Sequence, residues 1–428
     1  MDSDRAARTS LLFELAEALQ RVGTGTARVE ETLGRVAGAI GVQGWFFALP
    51  DAVWATLQFG DGEPVTHLVP APGGDVDLAG LDALRTLSQQ LMDGDLGVAE
   101  ARAELARLAA RPPTWGPRAV VAAFAVASMG AAVLFGGRLG EAVVSGVIGL
   151  GIGWLVLRGA AWRLGRLVDV LAAGWAALLA TLASTLLGTA TDAVVVAGLI
   201  VLVPGFTIHR GMTDLSTGHL VSGTLRVAVA GTALLLMGFG VALGAQGAEA
   251  LLGPSPVVAA GAGDVGLSTL AIVLMTPALL VLFQAPLRAA PWALGSVTVA
   301  WFGSLLGARM LGPELGAFVA ALAVGLYANG WSRATNRPAA IPLAPGLLLL
   351  VPGAMGFRGV AALLDGDAVA AMQTGFSTLL VAVALVCGLL VANLVVAAPE
   401  HIKRGRPGRD PGTARPRRSP GAAPTPTA

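Results

Sequence analysis

Long apolar segments follow one another along most of the chain after residue 117. Ten of them can be recognised, at 119–136, 139–157, 168–188, 191–206, 220–246, 265–284, 287–306, 313–332, 338–355 and 368–398. A run of roughly 20 apolar residues is long enough to cross the hydrocarbon core of a bilayer as a helix. The pattern therefore predicts an α-helical polytopic membrane protein with ten transmembrane helices.

Residues 1–117 follow a different pattern, in which apolar and polar positions alternate at the spacing of amphipathic elements. Helices are predicted at 11–22, 29–40, 78–91 and 98–108. Strands are predicted at 45–49, 53–59 and 65–69, with Asp61-Gly62 as a tight hairpin turn between the last two. We expect a small cytosolic α+β domain and linker, ending in the proline-rich joint 111–118, where prolines prevent a continuous helix.

One stretch of the membrane region occurs twice, 148 residues apart. Residues 198–218 read GLIVLVPGFTIHRGMTDLSTG, residues 346–366 read GLLLLVPGAMGFRGVAALLDG, and 10 of 21 positions agree. The same offset superposes the flanking apolar segments, so each copy lies on the fourth of five. An odd number of crossings per repeat inverts the second repeat relative to the first. We therefore predict two inverted five-helix repeats, membrane repeat 1 over 118–248 and membrane repeat 2 over 249–398.

Both copies contain Pro-Gly at the same place, at residues 204–205 and 352–353. Proline removes a backbone donor and glycine tolerates unusual dihedral angles, so both helices should be interrupted there. Interrupted helices at matching places in two inverted halves are typical of a transporter's substrate site. The predicted site is a cavity between residues 204–214 and 352–358.

The arginines are distributed unevenly between alternate loops. If the N-terminus is inside, the inner loops hold Arg111, Arg118, Arg158, Arg163, Arg166, Arg210, Arg288, Arg333 and Arg337. The outer loops hold Arg138, Arg309 and Arg358. This asymmetry satisfies the positive-inside rule with both termini cytoplasmic, and it requires an even number of crossings. The basic, proline-rich tail 399–428 is expected to be disordered.

Composition excludes several classes of function. Charged residues make up 13% of the chain, about half the share of a soluble domain. Lys403 is the only lysine, so the chain lacks the phosphate-binding lysine of an ATP-driven pump. Cys387 is the only cysteine, which rules out a disulfide framework or a cysteine metal cluster. We expect no nucleic-acid binding, no cofactor or metal, and no enzymatic activity, which leaves a carrier, a facilitator or a channel.

Charged side chains beside the spans are the next clue, because they are costly in lipid and usually functional. The first repeat carries Asp214 and Arg226, where the second has Ala362 and Thr374. Arg226 or Arg210 could bind a substrate carboxylate, and Asp214 an ammonium group or a coupling proton. Alternatively, Asp214 and Arg226 pair with each other or reach the inner interface. The nearby histidines, His209 and His219, could relay protons but are more simply explained as exposed loop residues.

The stretch 204–226 resembles the signature of the threonine/serine exporter family. The matching residues are Pro204, Gly205, Asp214, Leu215, Gly218, Gly223 and Arg226. Residues 18–33, ALQRVGTGTARVEETL, are similar to the family's N-terminal stretch, and residues 343–359 to its C-terminal half. The resemblance covers about residues 10–398. Family members often carry a longer polar N-terminal region, which leaves the role of the N-terminal domain open.

The resemblance implies a proton-coupled antiporter that exports small hydroxylated amino acids across the bacterial inner membrane. Its partners would be the amino acid, protons and membrane lipid, and a homo-oligomer is one option for its assembly. The expected substrate- and ion-binding residues are Pro204, Gly205, Arg210, Asp214, Gly218, Arg226, Pro352, Gly353 and Arg358. Related two-subunit members are associated with succinate export, so a dicarboxylate exporter is the first alternative. The second is a membrane-anchored sensor whose N-terminal domain binds a ligand.

Overall fold

A computed structural model describes residues 2–253, 258, 261, 264–350, 353–364 and 366–404. The predicted Pro352 and most of the predicted tail 399–428 lie outside this part of the chain. The helices before the membrane region are α1 Asp2–Arg21, α2 Thr26–Ala39, α3 Leu78–Asp93 and α4 Val98–Ala109, and the strands are β1 Gln43–Ala48, β2 Ala52–Gln58 and β3 Val65–Pro70.

The N-terminal elements follow the predicted order of two helices, three strands and two helices. The strands form one antiparallel sheet in the order β1-β2-β3, with Trp45 opposite Thr56 and Ala55 opposite His67. Leucines of α1 and α2 pack with one face of β2 and with α3 and α4 in a single core. The first helix starts at Asp2, nine residues before the predicted start, because its first two turns are polar and give no periodic signal.

The membrane region is helical almost throughout. Its helices are α5 Pro117–Leu134, α6 Leu139–Ala161, α7 Leu167–Leu187, α8 Thr191–Leu199, α9 Gly205–Ser216, α10 Leu220–Leu252, α11 Val265–Leu282, α12 Ala290–Leu311, α13 Pro313–Thr335, α14 Ala340–Leu350, α15 Gly353–Leu364 and α16 Ala368–Arg404. Within the described residues, nine helices or helix pairs are long and apolar enough to cross a membrane. The chain is therefore a polytopic membrane protein; length and composition identify one span fewer than the ten crossings, which stay a prediction.

The fourth predicted segment, 191–206, accounts for the difference. Helix α8 has only nine residues and ends at Leu199, because tight turns precede Pro204. After the break, residues that we expected to form an inner loop, including His209 and Arg210, instead form α9. The prediction that His209 and Arg210 lie in a loop was wrong, because the polar residues of this stretch belong to an amphipathic helix. Helix α9 has 12 residues and is too short to qualify as a span by itself.

Glycines pack the same helix pairs together in both halves of the membrane region. A methyl group placed on Gly240 of α10 would meet Val170 and Ala173 of α7. A methyl group on Gly388 of α16 would meet Phe318 and Ala321 of α13, the residues 148 positions further along. Likewise, α8 contacts α6 through Gly198 and Ile148, and α14 contacts α12 through Gly346 and Ser296. The 148-residue offset therefore relates contacts in space as well as residues in sequence.

The N-terminal domain packs against one end of the helix bundle. The Leu78 amide donates to the Phe283 carbonyl (3.0 Å), and the Trp115 indole N–H donates to the Ala285 carbonyl (2.7 Å). Arg288 forms an ion pair with Asp82 at 3.3 Å. Arg85 of α3 reaches Asn336, beyond the end of α13. The α11–α12 and α13–α14 connections therefore lie on the side of the bundle that faces the N-terminal domain.

Candidate substrate site

Helices α9 and α10 approach closely enough to bring their charged side chains together. A methyl group on Gly223 of α10 would meet the Gly211 carbonyl of α9 at 2.7 Å, so a larger residue would separate the two helices. Asp214 follows Arg210 by one helical turn on α9, and Arg226 follows Ser222 by one turn on α10. The glycine contact places Asp214 opposite the pair from α10.

Asp214 is the centre of a buried polar cluster. Its Oδ2 atom accepts hydrogen bonds from Arg226 Nε (3.0 Å), Ser222 Oγ (3.1 Å) and Thr26 Oγ1 (3.0 Å). Asp214 is 5% exposed, and Thr26 and Ser222 are each 2% exposed. A buried carboxylate is tolerated when it is paired and hydrogen-bonded, and here both conditions hold. Asp214 Oδ1, by contrast, accepts no hydrogen bond from the described residues.

The third donor, Thr26, belongs to the N-terminal domain and lies 188 positions from Asp214 in the sequence. It ends the turn formed by residues 23–26, which joins α1 to α2. Gly23 in this turn has a φ of +72°, which suits glycine, and a methyl group there would approach the Asp75 carbonyl at 3.1 Å. The Gly23 carbonyl accepts a hydrogen bond from the Arg210 guanidinium. The turn therefore contacts both the acidic and the basic side chain of α9.

At the edge of the cluster, α2 makes one further contact with the membrane region. Glu30 Oε2 lies 3.2 Å from His219 Nε2, and both side chains are partly exposed. The other histidine, His209, is a buried residue of α9, and its Nδ1 atom has no hydrogen-bond partner in the part of the chain that is described. His209 is therefore not the exposed loop residue that the sequence suggested.

A cavity of about 360 Å³ lies between this turn and the membrane helices. This volume is within the range of small-molecule sites, about 300–1,000 Å³. The polar wall contains Arg210, Asp214 and Arg226, together with the turn itself. The lining also includes apolar residues of the second half, among them Leu343 and Leu347 of α14 and Leu389 and Leu390 of α16. The cavity thus combines charged groups of both signs with apolar surface.

The two interrupted helices meet at their breaks. A methyl group on Gly353, the first residue of α15, would lie 2.7 Å from Val203 and 3.2 Å from the Gly205 Cα atom. Beyond this contact, further from the N-terminal domain, a second cavity of about 390 Å³ is lined mainly by apolar residues, including Ala354 and Met355 of α15. The arrangement differs from the single cavity expected between residues 204–214 and 352–358.

The predicted site residues are therefore divided between different places. Arg210, Asp214 and Arg226 line the cavity below the N-terminal domain, while Pro204 and Gly205 lie at the break and Gly218 in the turn before α10. Gly353 joins the break from the other half. Arg358 is exposed, with its guanidinium 5.5 Å from the centre of the Phe135 ring, away from Asp214. Pro352 lies outside the described residues.

Sequence reasoning left open whether Asp214 and Arg226 pair with each other, and the structure shows that they do. It missed Thr26, Ser222 and Glu30. One signal for them was present, because residues 18–33 and 204–226 are two stretches that carry the family resemblance, and it is these two that meet here. In the described part of the chain, no group of three or more His, Cys, Asp or Glu residues could hold a metal ion.

Comparison with known proteins gives matches along most of the chain. Residues 10–247 match a family model described as "Putative threonine/serine exporter", and residues 268–395 match one described as "Threonine/Serine exporter, ThrE". A "Probable threonine/serine exporter" of Mycobacterium tuberculosis is 28% identical over 441 residues, covering 93% of this chain and 78% of that protein. No solved structure matches the chain.

Fungal proteins are also similar. "Pheromone-regulated membrane protein 10" of Pichia sorbitophila is 24% identical over 385 residues, which is 85% of this chain but 38% of that protein. The protein of the same description from Candida albicans is 23% identical over 383 residues, with 85% and 34% coverage. The chain thus spans little more than a third of the length of these fungal relatives.

Proposed function

Because the chain belongs to the threonine/serine exporter family, a family of transporters, we propose that it exports threonine and serine across a bacterial inner membrane in exchange for protons. The observation that carries this proposal is the cavity with Arg210, Asp214 and Arg226 on one wall. A zwitterionic amino acid needs a cationic and an anionic partner, and this wall offers both. The apolar residues of α14 and α16 in the lining suit the small side chain.

The charges have distinct roles in this proposal. Arg210 binds the substrate carboxylate at the end of the cavity nearest the N-terminal domain. Asp214 binds the ammonium group, or a proton when the cavity is empty, and Arg226 forms an ion pair with Asp214 at 3.0 Å. A proton and a cationic group competing for one carboxylate give coupled exchange, since only one can be bound at a time.

Alternating access follows from the two breaks. We assign the chain a cytosolic N-terminal domain and linker (1–117), two inverted membrane repeats (118–248 and 249–398) and a C-terminal tail, with both termini in the cytoplasm. The glycine contacts that recur 148 positions apart support the repeat. The contact between Gly205 and Gly353 lies between the two cavities, and its rearrangement would open one cavity while closing the other.

The test is counterflow in proteoliposomes that contain the full-length protein. Vesicles loaded with unlabelled threonine should accumulate labelled threonine and serine. Asp214→Asn should lose both counterflow and export driven by a proton gradient, because the same carboxylate binds the ammonium group and the proton. Arg226→Ala should weaken both, because it leaves Asp214 buried without its partner. Thr374→Ala, which changes the position equivalent to Arg226 in the second repeat, is the matched control and should behave like the wild type.

The other outcomes identify the alternatives. Exchange of succinate but not of threonine would make the protein a dicarboxylate exporter, for which the two arginines could bind two carboxylates. Exchange of none of these compounds would favour a membrane-anchored sensor. Wild-type rates in both Asp214→Asn and Arg226→Ala, with normal amounts in the membrane, would remove these charges from the site and leave the transporter assignment standing.

A further inference from the structure

The turn 23–26 presents two chemical groups to the charged wall of the cavity. The Gly23 carbonyl offers an oxygen that accepts a hydrogen bond from Arg210, as a substrate carboxylate would. Thr26 offers a side-chain hydroxyl that donates to Asp214 Oδ2 at 3.0 Å. An oxygen acceptor and a β-hydroxyl are two of the three polar groups of threonine and serine.

The hydroxyl of Thr26 has no local role that would explain its position. Threonine near the start of a helix usually caps the helix by accepting a hydrogen bond from a backbone amide. Here Gly25 is the N-cap of α2, and no side chain caps the helix. Among the residues that the structure describes, the hydrogen-bond partners of the Thr26 hydroxyl are Asp214 and Ser222 Oγ, the latter at 2.9 Å, and both belong to the membrane region.

Resting on the function proposed above, we propose that the turn 23–26 is a built-in pseudosubstrate. Thr26 occupies a hydroxyl subsite formed by Asp214 Oδ2 and Ser222, and the Gly23 carbonyl occupies the carboxylate subsite at Arg210. The turn must leave before threonine or serine binds. The N-terminal domain therefore selects hydroxylated amino acids by competing with them for the same two subsites.

The substrate should outcompete the turn, because the turn lacks the ammonium group of an amino acid. Asp214 Oδ1 accepts no hydrogen bond from the residues whose positions are described, although Asp214 lines the cavity. A substrate ammonium would find this oxygen free. The domain also has separate contacts with the bundle, at Leu78 and Trp115. The turn can therefore withdraw by a tilt of the domain, without detachment.

A disulfide cross-link between the turn and the site tests the proposal. The hydroxyl oxygens of Thr26 and Ser222 are 2.9 Å apart, so Thr26→Cys with Ser222→Cys, in a Cys387→Ala background, should form a disulfide on mild oxidation. Oxidation should stop threonine counterflow and reduction should restore it. Saturating threonine or serine should slow cross-linking at least fivefold, and alanine at the same concentration should slow it less.

The matched control is Thr56→Cys with Thr66→Cys. These two hydroxyl oxygens are also 2.9 Å apart, but they lie on the exposed face of the sheet. This pair should cross-link at the same rate with or without threonine, and its oxidation should leave counterflow unchanged. A Thr26–Ser222 cross-link that forms equally fast with and without threonine, in a protein that exchanges threonine, would overturn the pseudosubstrate and leave the proposed function intact.

A second variant keeps the test independent of the cysteines. Thr26→Val retains the shape of the side chain and removes the hydroxyl, so the turn competes less well. The threonine concentration that gives half-maximal counterflow should fall about tenfold, as expected for one hydrogen bond to a charged group, whereas Thr26→Ser should stay near the wild type. A rise in that concentration would make Thr26 a permanent part of the substrate site, and no change would make it structural. Loss of threonine exchange in the wild type itself would instead reject the proposed function.

Discussion

Helices α9 and α15 are equivalent in sequence and are surrounded differently. Each has 12 residues, begins with the glycine of a Pro-Gly pair, and packs on the next helix through a glycine, Gly211 or Gly359. The neighbours of Gly211 include Gly223 and Arg226, and those of Gly359 include the residues 148 positions later, Ala371 and Thr374. Yet α9 carries Asp214, the acidic member of a buried ion pair that lies next to the N-terminal domain, whereas α15 lines an apolar cavity.

The difference indicates that the two repeats share the same helix packing, whereas the charged pair of Asp214 and Arg226 occurs in the first repeat only. Small residues let backbones pack closely in a bilayer, and this requirement is the same in both halves. Recognition of one zwitterion needs only one set of charges, so the second half can keep Ala362 and Thr374 in place of Asp214 and Arg226. In the proposed function, α9 would supply charged partners of the substrate, and α15 would supply the contact between the two breaks.

The largest expected effect is a difference in labelling from outside the cell, because the C-terminal ends of α9 and α15 should lie on opposite sides of the membrane. If the repeats are inverted, the end of α9 at Ser216 and the connection after α15 at Asp367 lie on opposite sides of the membrane. In a Cys387→Ala background, an impermeant maleimide added to intact cells should label Asp367→Cys and leave Ser216→Cys unlabelled until the cells are broken. Labelling of both from the same side would contradict the inverted arrangement.

The next effect concerns the ion pair that only the first half has. Arg226→Ala leaves Asp214 buried without its partner, which should lower the free energy of unfolding by about 3–5 kcal/mol. Thr374→Ala, at the equivalent position, removes no charge and should change it by less than about 0.5 kcal/mol. Thermal unfolding of the purified protein in detergent measures both.

A double variant separates the loss of the pair from the burial of a single charge. Asp214→Asn with Arg226→Gln removes both charges and keeps hydrogen-bonding groups, so it should recover most of the stability that Arg226→Ala loses. It should not recover transport. If Arg226→Ala were as stable as the wild type, Asp214 would have to be protonated or hydrated in that variant, in place of its pairing with Arg226.

The packing frame, in contrast, should respond equally in both halves. Gly240→Ala and Gly388→Ala each place a methyl group against the facing helix, and each should lower the free energy of unfolding by about 1–3 kcal/mol. Gly231→Ala and Gly375→Ala are the controls, because a methyl group there meets no atom within 4 Å. Markedly different costs for Gly240→Ala and Gly388→Ala would argue against a shared frame.

The fold could be predicted where the signal is local. Apolar runs located the helices, alternation located the sheet, and the repeated Pro-Gly located the breaks. Helix α9 was missed because polar residues in an interrupted membrane segment resemble a loop, although Arg210 and Asp214 have helical spacing. The charged site was predicted only in part. Its contact between Thr26 and Asp214 joins residues 188 positions apart, and no periodicity in the sequence encodes such a contact.

The smallest expected effect concerns the contact between Glu30 and His219, at the edge of the charged cluster. The two side chains are about a fifth exposed, so water screens their interaction, which should be worth at most about 1 kcal/mol. The Ala48 amide donates a hydrogen bond to Glu30 Oε1 at 2.8 Å. Glu30→Gln keeps an oxygen acceptor for this amide and removes the charge. The substitution should therefore loosen the turn 23–26 without unfolding α2.

The cross-link from Thr26→Cys to Ser222→Cys measures this loosening, and Glu30→Gln should slow its formation about two- to threefold. Glu31→Gln is the control, because Glu31 is next to Glu30 in sequence but pairs with Arg35 of the same helix, at 3.9 Å. A tenfold slowing would contradict our assignment, since the edge contact would then hold the turn more firmly than the hydrogen bonds to Asp214. A small effect would instead mean that the buried Thr26 hydroxyl, through its hydrogen bond to Asp214, is the main group that holds the turn against α9. Among the described residues, α15 has no such contact with the N-terminal domain.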